Sequence, residues 1–303
     1  MRVLIIKLGA TGDVVRTTPL LHVLSGEIHW VTSDANQIML EGINAIERLI
    51  PWSKVESIKR FDYDLVINLE DSLETAEFLS YIKHKELFGA YLDKSGELTY
   101  TESSRKWFDL SLISRYGKQK ADGLKFKNRR TYQELIFEGL GFQFKGETYL
   151  LPTPTETGLH GDIAIAENSG KVWPMKKWAY YEELKDRLET RGYVVNYLPM
   201  RDTLLEHIGD VQGHKYLISG DTLPMHIALG SGIKCLTIFL CTSPWEIYDY
   251  GLQRKVISPL LEKYFYKRDF NLEAVTSVGV NEIYHNVIIH ISENDLSLTQ
   301  GVF

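Results

Sequence analysis

The chain has 303 residues, 44% of them hydrophobic and 24% charged, and a formal net charge of −6. That length accommodates two domains of roughly 150 residues each, and the acidic balance argues against a dedicated nucleic-acid binder. The longest apolar runs fall far short of the roughly 20 residues that a membrane-spanning helix needs, and the N-terminus reads as a strand rather than a secretory leader, so a cytoplasmic protein is expected.

Apolar runs predict strands at residues 3–6, 28–31, 47–50, 65–69 and 87–91, with helical patterns at 14–24 and 72–82 between them. Alternation of this kind calls for a parallel sheet with helices on both faces. Residues 151–158 are rich in proline, threonine and glycine and mark a linker. The alternation then resumes, with strands at 163–166, 193–198, 216–219, 236–240 and 255–257 and a clear helix at 178–191. Residues 280–291 read as a terminal helix, followed from Ser292 by a polar tail. Cys235 and Cys241 flank one apolar strand and suggest buried thiols rather than a disulfide or zinc framework. The expected organisation is two Rossmann-like domains, 1–152 and 153–303, with the terminal helix free to pack back on the first. Ligands of such sheets bind at the carboxyl ends of the strands, here in a crevice between the domains.

Three segments follow strands and carry candidate chemistry. After the first strand, Gly9 and Gly12 permit a tight turn and Asp13 opens a helix, where a carboxylate can accept a hydroxyl proton or simply cap the helix. Lys171, in Lys171-Val172-Trp173-Pro174, offers a point charge for a diphosphate, with Lys176 and Lys177 as alternates in the same loop. Asp221-Thr222-Leu223-Pro224-Met225-His226 joins a buried strand to a helix whose first-turn N–H groups suit a phosphate; the plainer reading is again a cap. Trp173 and Trp178 read as packing residues, and Thr242-Ser243-Pro244 as a binding loop or a plain proline turn. Residues 101–130 hold nine basic and three acidic residues, enough to attract an anionic acceptor or membrane surface unless the lysines are merely solvated.

Taken together and in this order, the Gly-Asp segment, the Lys-x-Trp-Pro segment and the Asp-Thr-x-Pro-Met-His segment resemble the ADP-heptose:lipopolysaccharide heptosyltransferases of glycosyltransferase family 9. The resemblance implies a GT-B fold and an inverting, metal-independent transfer without a cofactor, from a nucleotide sugar to a saccharide or glycolipid acceptor, with no nucleic acid involved. It implies Asp13 as general base, and Lys171, Asp221, Thr222, Leu223, Pro224, His226 and Thr242 as donor contacts. Gly9, Gly12 and Arg16, with Arg129 and Arg130 of the basic segment, are the acceptor-side candidates. The cytoplasmic location read above, with peripheral contact at the inner membrane face through the basic segment 101–130, is the expected localisation.

The sequence departs from that pattern at Leu223, where relatives usually carry glycine, and in a shortened loop between Tyr193 and Glu206, which leaves no clear nucleoside carboxylate. Glu206 itself reads as part of an ordinary helix. These departures motivate a second reading, a non-catalytic relative that binds sugar nucleotides. A third, an NAD(P)-dependent short-chain-type oxidoreductase, draws on Gly9-Ala10-Thr11-Gly12, on Asp34 and on Tyr181 with Lys185. It lacks the third glycine of the dinucleotide fingerprint, since Val15 and Arg16 fill that region. Asp62-Tyr63-Asp64 spells a metal-binding Asp-x-Asp but precedes a strand and reads as a turn.

Overall fold

A computed structural model describes residues 1–293; the polar tail beyond them lies outside the described residues. The chain divides into two compact units, Met1–Thr153 with Trp245–Tyr248, and Pro154–Pro244 with the chain from Asp249. A single cut near residue 152 therefore misses one segment. Trp245–Tyr248 belongs to the first unit, where the Glu246 carbonyl accepts the Tyr132 N–H at 2.9 Å.

The first unit contains β1 (Arg2–Ile6), α1 (Thr11–Thr17), β2 (Glu27–Thr32), β3 (Arg48–Pro51), β4 (Asp62–Asn68), α2 (Leu73–Leu79), β5 (Lys83–Leu92) and β6 (Leu98–Tyr100). Three helices follow: α3 (Arg105–Phe108), α4 (Lys118–Lys127) and α5 (Tyr132–Gly139). The sheet order is β3-β2-β1-β4-β5-β6, parallel except for the short β6, which pairs antiparallel with β5 and had no signal in the apolar pattern. β1 is apolar on both faces because both are covered: Val3 and Ile5 join one core layer, Leu4 and Ile6 the other.

The helix expected at 14–24 is shorter than its apolar pattern. α1 stops at Thr17 and continues as a 3-10 turn over Thr18–His22. Pro19 has no N–H for the carbonyl of Val15, which instead accepts the Thr18 hydroxyl at 2.7 Å. Asp62-Tyr63-Asp64 is also not a turn, since it forms the first residues of β4. There Asp64 accepts the Arg2 N–H at 2.8 Å and pairs with Lys85 at 2.6 Å, while the buried Tyr63 hydroxyl bonds His29.

The second unit contains β7 (Gly161–Ala166), α6 (Tyr181–Thr190), β8 (Val195–Tyr197), α7 (Leu204–Gln212), β9 (His214–Gly220), α8 (Leu223–Gly230), β10 (Lys234–Phe239) and β11 (Gln253–Ile257). It closes with α9 (Leu261–Tyr264), α10 (Leu272–Val275) and α11 (Val280–Ser292). The sheet order is β11-β10-β9-β7-β8, parallel throughout. The terminal helix is part of the core of the second unit. Val280, Ile283 and Val287 of α11 enter the core formed by Trp178, Tyr181 and Leu184 of the second. Cys235 and Cys241 are buried free thiols in this unit, and burial pushes both pKa values up to about 12.

Each sheet reverses its strand order once. In the first unit the chain runs outward through β1, β2 and β3 and then returns to place β4 on the other side of β1. In the second it runs through β7 and β8, then places β9 on the other side of β7. Loops leaving the carboxyl ends of the strands diverge at such a point and open a crevice for ligand.

Candidate functional site

At the reversal in the first unit, Lys7-Leu8-Gly9 follow β1 and Leu69-Glu70 follow β4. Glu70 ties them together: one carboxylate oxygen takes Lys7 Nζ at 2.8 Å and the N–H groups of Leu8 at 2.7 Å and Gly9 at 3.4 Å. Burial opposes the charge on Lys7, but the carboxylates of Asp13 and Glu70 outweigh it and raise the lysine pKa. Asn36 clamps the same loop, accepting from the Thr11 hydroxyl and donating to the Leu8 carbonyl, each at 2.7 Å.

The glycines matter less for backbone freedom than the sequence suggests. Neither Gly9 nor Gly12 has positive φ, and a Cβ on Gly9 would meet only the Asn36 side chain at 3.5 Å. Asp13 stands in the first turn of α1 rather than at its N-cap, which is Ala10. Its side chain is 34% exposed and pairs with Arg16 at 2.8 Å. Arg16, 12% exposed, lies 4.1 Å from the Tyr132 ring centroid and 3.7 Å from Glu246. Glu246 is buried and also pairs with Lys125 at 3.0 Å.

The basic segment is largely neutralised within itself and its surroundings. Arg105 pairs with Glu102 and Asp109, Arg115 with Asp109, and Lys118 with Asp122. Lys106 and Arg130 share Glu138, and Arg129 lies 3.6 Å from the Trp245 ring centroid. The excess of positive charge read from residues 101–130 is therefore not a bare cationic strip, and both arginines proposed to meet an acceptor are already engaged.

At the reversal in the second unit, residues 167–172 leave β7 and Asp221 follows β9. Gly220 lets the two loops meet, because a Cβ there would lie 2.3 Å from the Lys176 carbonyl oxygen. Lys176 reaches across to Asp221, at 2.9 Å from its Oδ2 and 2.6 Å from its main-chain carbonyl, and the Thr242 hydroxyl donates to the same Oδ2 at 2.7 Å. Burial alone would raise the Asp221 pKa; the charge of Lys176, then His226 and the two hydrogen bonds, outweigh it and hold the carboxyl well below the usual range. His226 and Thr242 are both buried.

Thr222 is the N-cap residue of α8, but its side chain makes no capping bond, and Leu223 and Pro224 fill the first two helical positions. The N-terminal N–H of Leu223 thus has no side-chain cap. Lys171 is exposed and, among the described residues, has no ion-pair partner; it borders a cavity of about 430 Å³ lined also by Asn168, Lys177, Trp178 and Phe270. Of the three lysines in this loop, Lys176 belongs to the Asp221 cluster, Lys177 pairs with Glu167 at 2.9 Å, and Lys171 alone stays unpaired. Trp178 is a core residue, with its indole N–H on the Val278 carbonyl at 2.9 Å, and Trp173 packs edge-on to Tyr266.

The features behind the oxidoreductase reading have structural employment. Tyr181 is buried in the core, Lys185 pairs with Glu189, and Asp34 accepts from Ser53. Glu206 completes a capping box with Thr203 at the start of α7. Among the described residues, no three His, Cys, Asp or Glu side chains group as a metal site would require, and no helix is long and apolar enough to cross a membrane.

Sequence reasoning missed Lys7, Asn36, Glu70 and Glu246. Glu70 had a signal, an acid directly after the apolar run 65–69. Glu246 had none, because its partners Arg16 and Lys125 are distant in the chain.

No family model matches the chain. It is 25% identical over 233 residues to lipopolysaccharide heptosyltransferase 1 of Pseudomonas aeruginosa, covering 64% of this chain but only 60% of that protein. With lipopolysaccharide heptosyltransferase 1 of Escherichia coli K12 it shares 22% identity over 306 residues, covering 84% of this chain and 93% of the relative. Its fold matches the glycosyl transferase family 9 structure from Veillonella parvula with a TM-score of 0.68 at 15% identity, covering 96% and 97% of the two chains. It also matches E. coli heptosyltransferase WaaC with ADP, with a TM-score of 0.64 at 16% identity, covering 96% and 100%. Two Rossmann-like units with these strand orders are the GT-B fold of the glycosyltransferases. Within that class the chain is similar in sequence to the lipopolysaccharide heptosyltransferases and shares its fold with a family 9 structure.

Proposed function

We propose that the protein transfers a heptose or related sugar from an ADP-sugar to a saccharide hydroxyl in cell-envelope glycan synthesis, with inversion and without a metal. One observation carries the reading beyond kinship: Asp13, a partly exposed carboxylate, stands at the strand-order reversal of the first unit. In this mechanism Asp13 takes the proton of the acceptor hydroxyl as its oxygen bonds the anomeric carbon. The bond from that carbon to the diphosphate breaks, and a single displacement inverts the centre.

The second unit holds the donor. Lys171, the Thr222 hydroxyl and the N–H of Leu223 stabilise the departing ADP, while Pro224, which has no N–H, fixes the first turn of α8 beside them. Lys176 is better suited to holding Asp221 than to binding phosphate, because its charge is already matched. With Lys176 and Thr242 both on Oδ2, Asp221 offers Oδ1 to a donor hydroxyl, and His226 supports its charge. On the acceptor side Gly9, Gly12 and Arg16 lie nearest the base, while Arg129 and Arg130 contribute only if they release present partners.

The test is incubation with ADP-heptose and a panel of envelope saccharides, with product mass and anomeric configuration as readouts, repeated in EDTA. A heptosylated, inverted product formed in EDTA supports the reading. Donor binding by calorimetry without any product supports the non-catalytic alternative, and dependence on added metal overturns the metal-free mechanism.

A further inference from the structure

Arg16 is shared between two carboxylates, and this determines how much of its charge reaches Asp13. Its guanidinium stands 2.8 Å from Asp13 and 3.7 Å from Glu246, with the Tyr132 ring fixing it from one side. Glu246 cannot swing away readily. It is buried, its main chain is bonded to Tyr132, and its other oxygen holds Lys125 at 3.0 Å. A cation beside a lone carboxylate lowers that group's proton affinity strongly; a second fixed anion on the same cation restores part of it.

We propose that Glu246 is a positioning residue that, through Arg16, keeps Asp13 basic enough to accept a hydroxyl proton. This deepens the proposed function and rests on Asp13 as the base.

Other charged and titratable groups on the elements packed around Asp13 have partners of their own. Lys7 faces it from the loop after β1 and is matched by Glu70, and the Tyr132 phenol of α5 is buried with its pKa raised by desolvation. Glu134 is engaged in the cap of α5, and Glu138 with Lys106 and Arg130. On the turns that pack against α1, Asp34 accepts from Ser53 and His22 bonds the Thr148 carbonyl. Arg16, Glu246 and Lys125 form a chain of ion pairs that leads from Asp13.

The test is the midpoint of Asp13 protonation, followed by carbon-detected NMR on aspartate-labelled protein and assigned with Asp13→Asn, alongside the pH dependence of kcat/KM. Glu246→Gln preserves shape and removes the anion. The Asp13 midpoint and the acidic limb of kcat/KM should both move down by about half a pH unit, with a lower plateau rate. Lys125→Met releases Glu246 toward Arg16 and should move both up. A folded Glu246→Gln with an unmoved Asp13 midpoint, or two variants shifting it the same way, overturns the inference. If Glu246→Gln does not fold, the sign of the Lys125→Met shift decides it. A midpoint that moves as expected while the kcat/KM limb stays still upholds the charge relay and refutes Asp13 as the base.

Discussion

The two strand-order reversals handle their acids in opposite ways. In the first unit the more enclosed carboxylate, Glu70, organises backbone and Lys7, while the more exposed one, Asp13, is left at the surface beside Arg16. In the second unit the acid, Asp221, is the enclosed group, gripped by Lys176 and Thr242, and the exposed group is a cation, Lys171. In the proposed mechanism the same fold presents a proton acceptor on one unit and an anion holder on the other. The difference teaches that position at a switch point does not set a residue's chemistry; the partners that bury or release it do.

The sharpest way to break the comparison is at Asp13. Asp13→Asn should lower kcat by about 10³-fold, as loss of a general base does, with donor affinity by calorimetry nearly unchanged. Large loss of donor binding would place Asp13 with the holding groups instead. Next in size is Asp221→Ala, which strands the charge of Lys176 and should cost about 3 kcal/mol of stability in denaturant titration. An unaltered unfolding midpoint would show that the cluster is not structural.

The same carboxyl makes a pH prediction. Its folded pKa is depressed, so its contribution to stability is complete above the ordinary carboxylate range and declines as pH falls below about 4 toward the folded value. Wild-type protein should thus lose stability on acidification more steeply than Asp221→Ala, measured as unfolding midpoints between about pH 2 and 5.

Lys171→Met should weaken ADP binding by about tenfold without changing the unfolding midpoint, since the side chain is exposed and pairs with nothing among the described residues. Equal weakening by Lys177→Met would remove the distinction drawn among the loop lysines. The smallest expected effect is at Leu223. Replacement by glycine at the first helical position should leave stability within about 1 kcal/mol, and its influence should appear as altered preference among donor sugars rather than as lost ADP affinity.

Much of the fold was legible in the chain because a parallel sheet covered on both faces demands continuous apolar runs, as in Val3, Leu4, Ile5 and Ile6. β6 escaped because three half-buried edge residues leave no run to detect. The length of α1 escaped because its apolar pattern continues past Pro19, where hydrogen bonding does not. Candidate residues that follow strands, such as Asp13, Lys171 and Asp221, were open to proposal from the chain alone. Their partners could not, since the Lys7–Glu70 and Lys176–Asp221 contacts join separate loops.

What the amino-acid order determined by itself was the succession of strands and helices, and with it which residues stand at carboxyl ends, because burial periodicity and turn chemistry are local. Only the tertiary structure decided which lysine is matched and which is exposed, and that Glu246 shares Arg16 with Asp13. Those outcomes depend on charges brought within about 4 Å by sheet order, where electrostatic energy changes steeply with distance and with the water excluded.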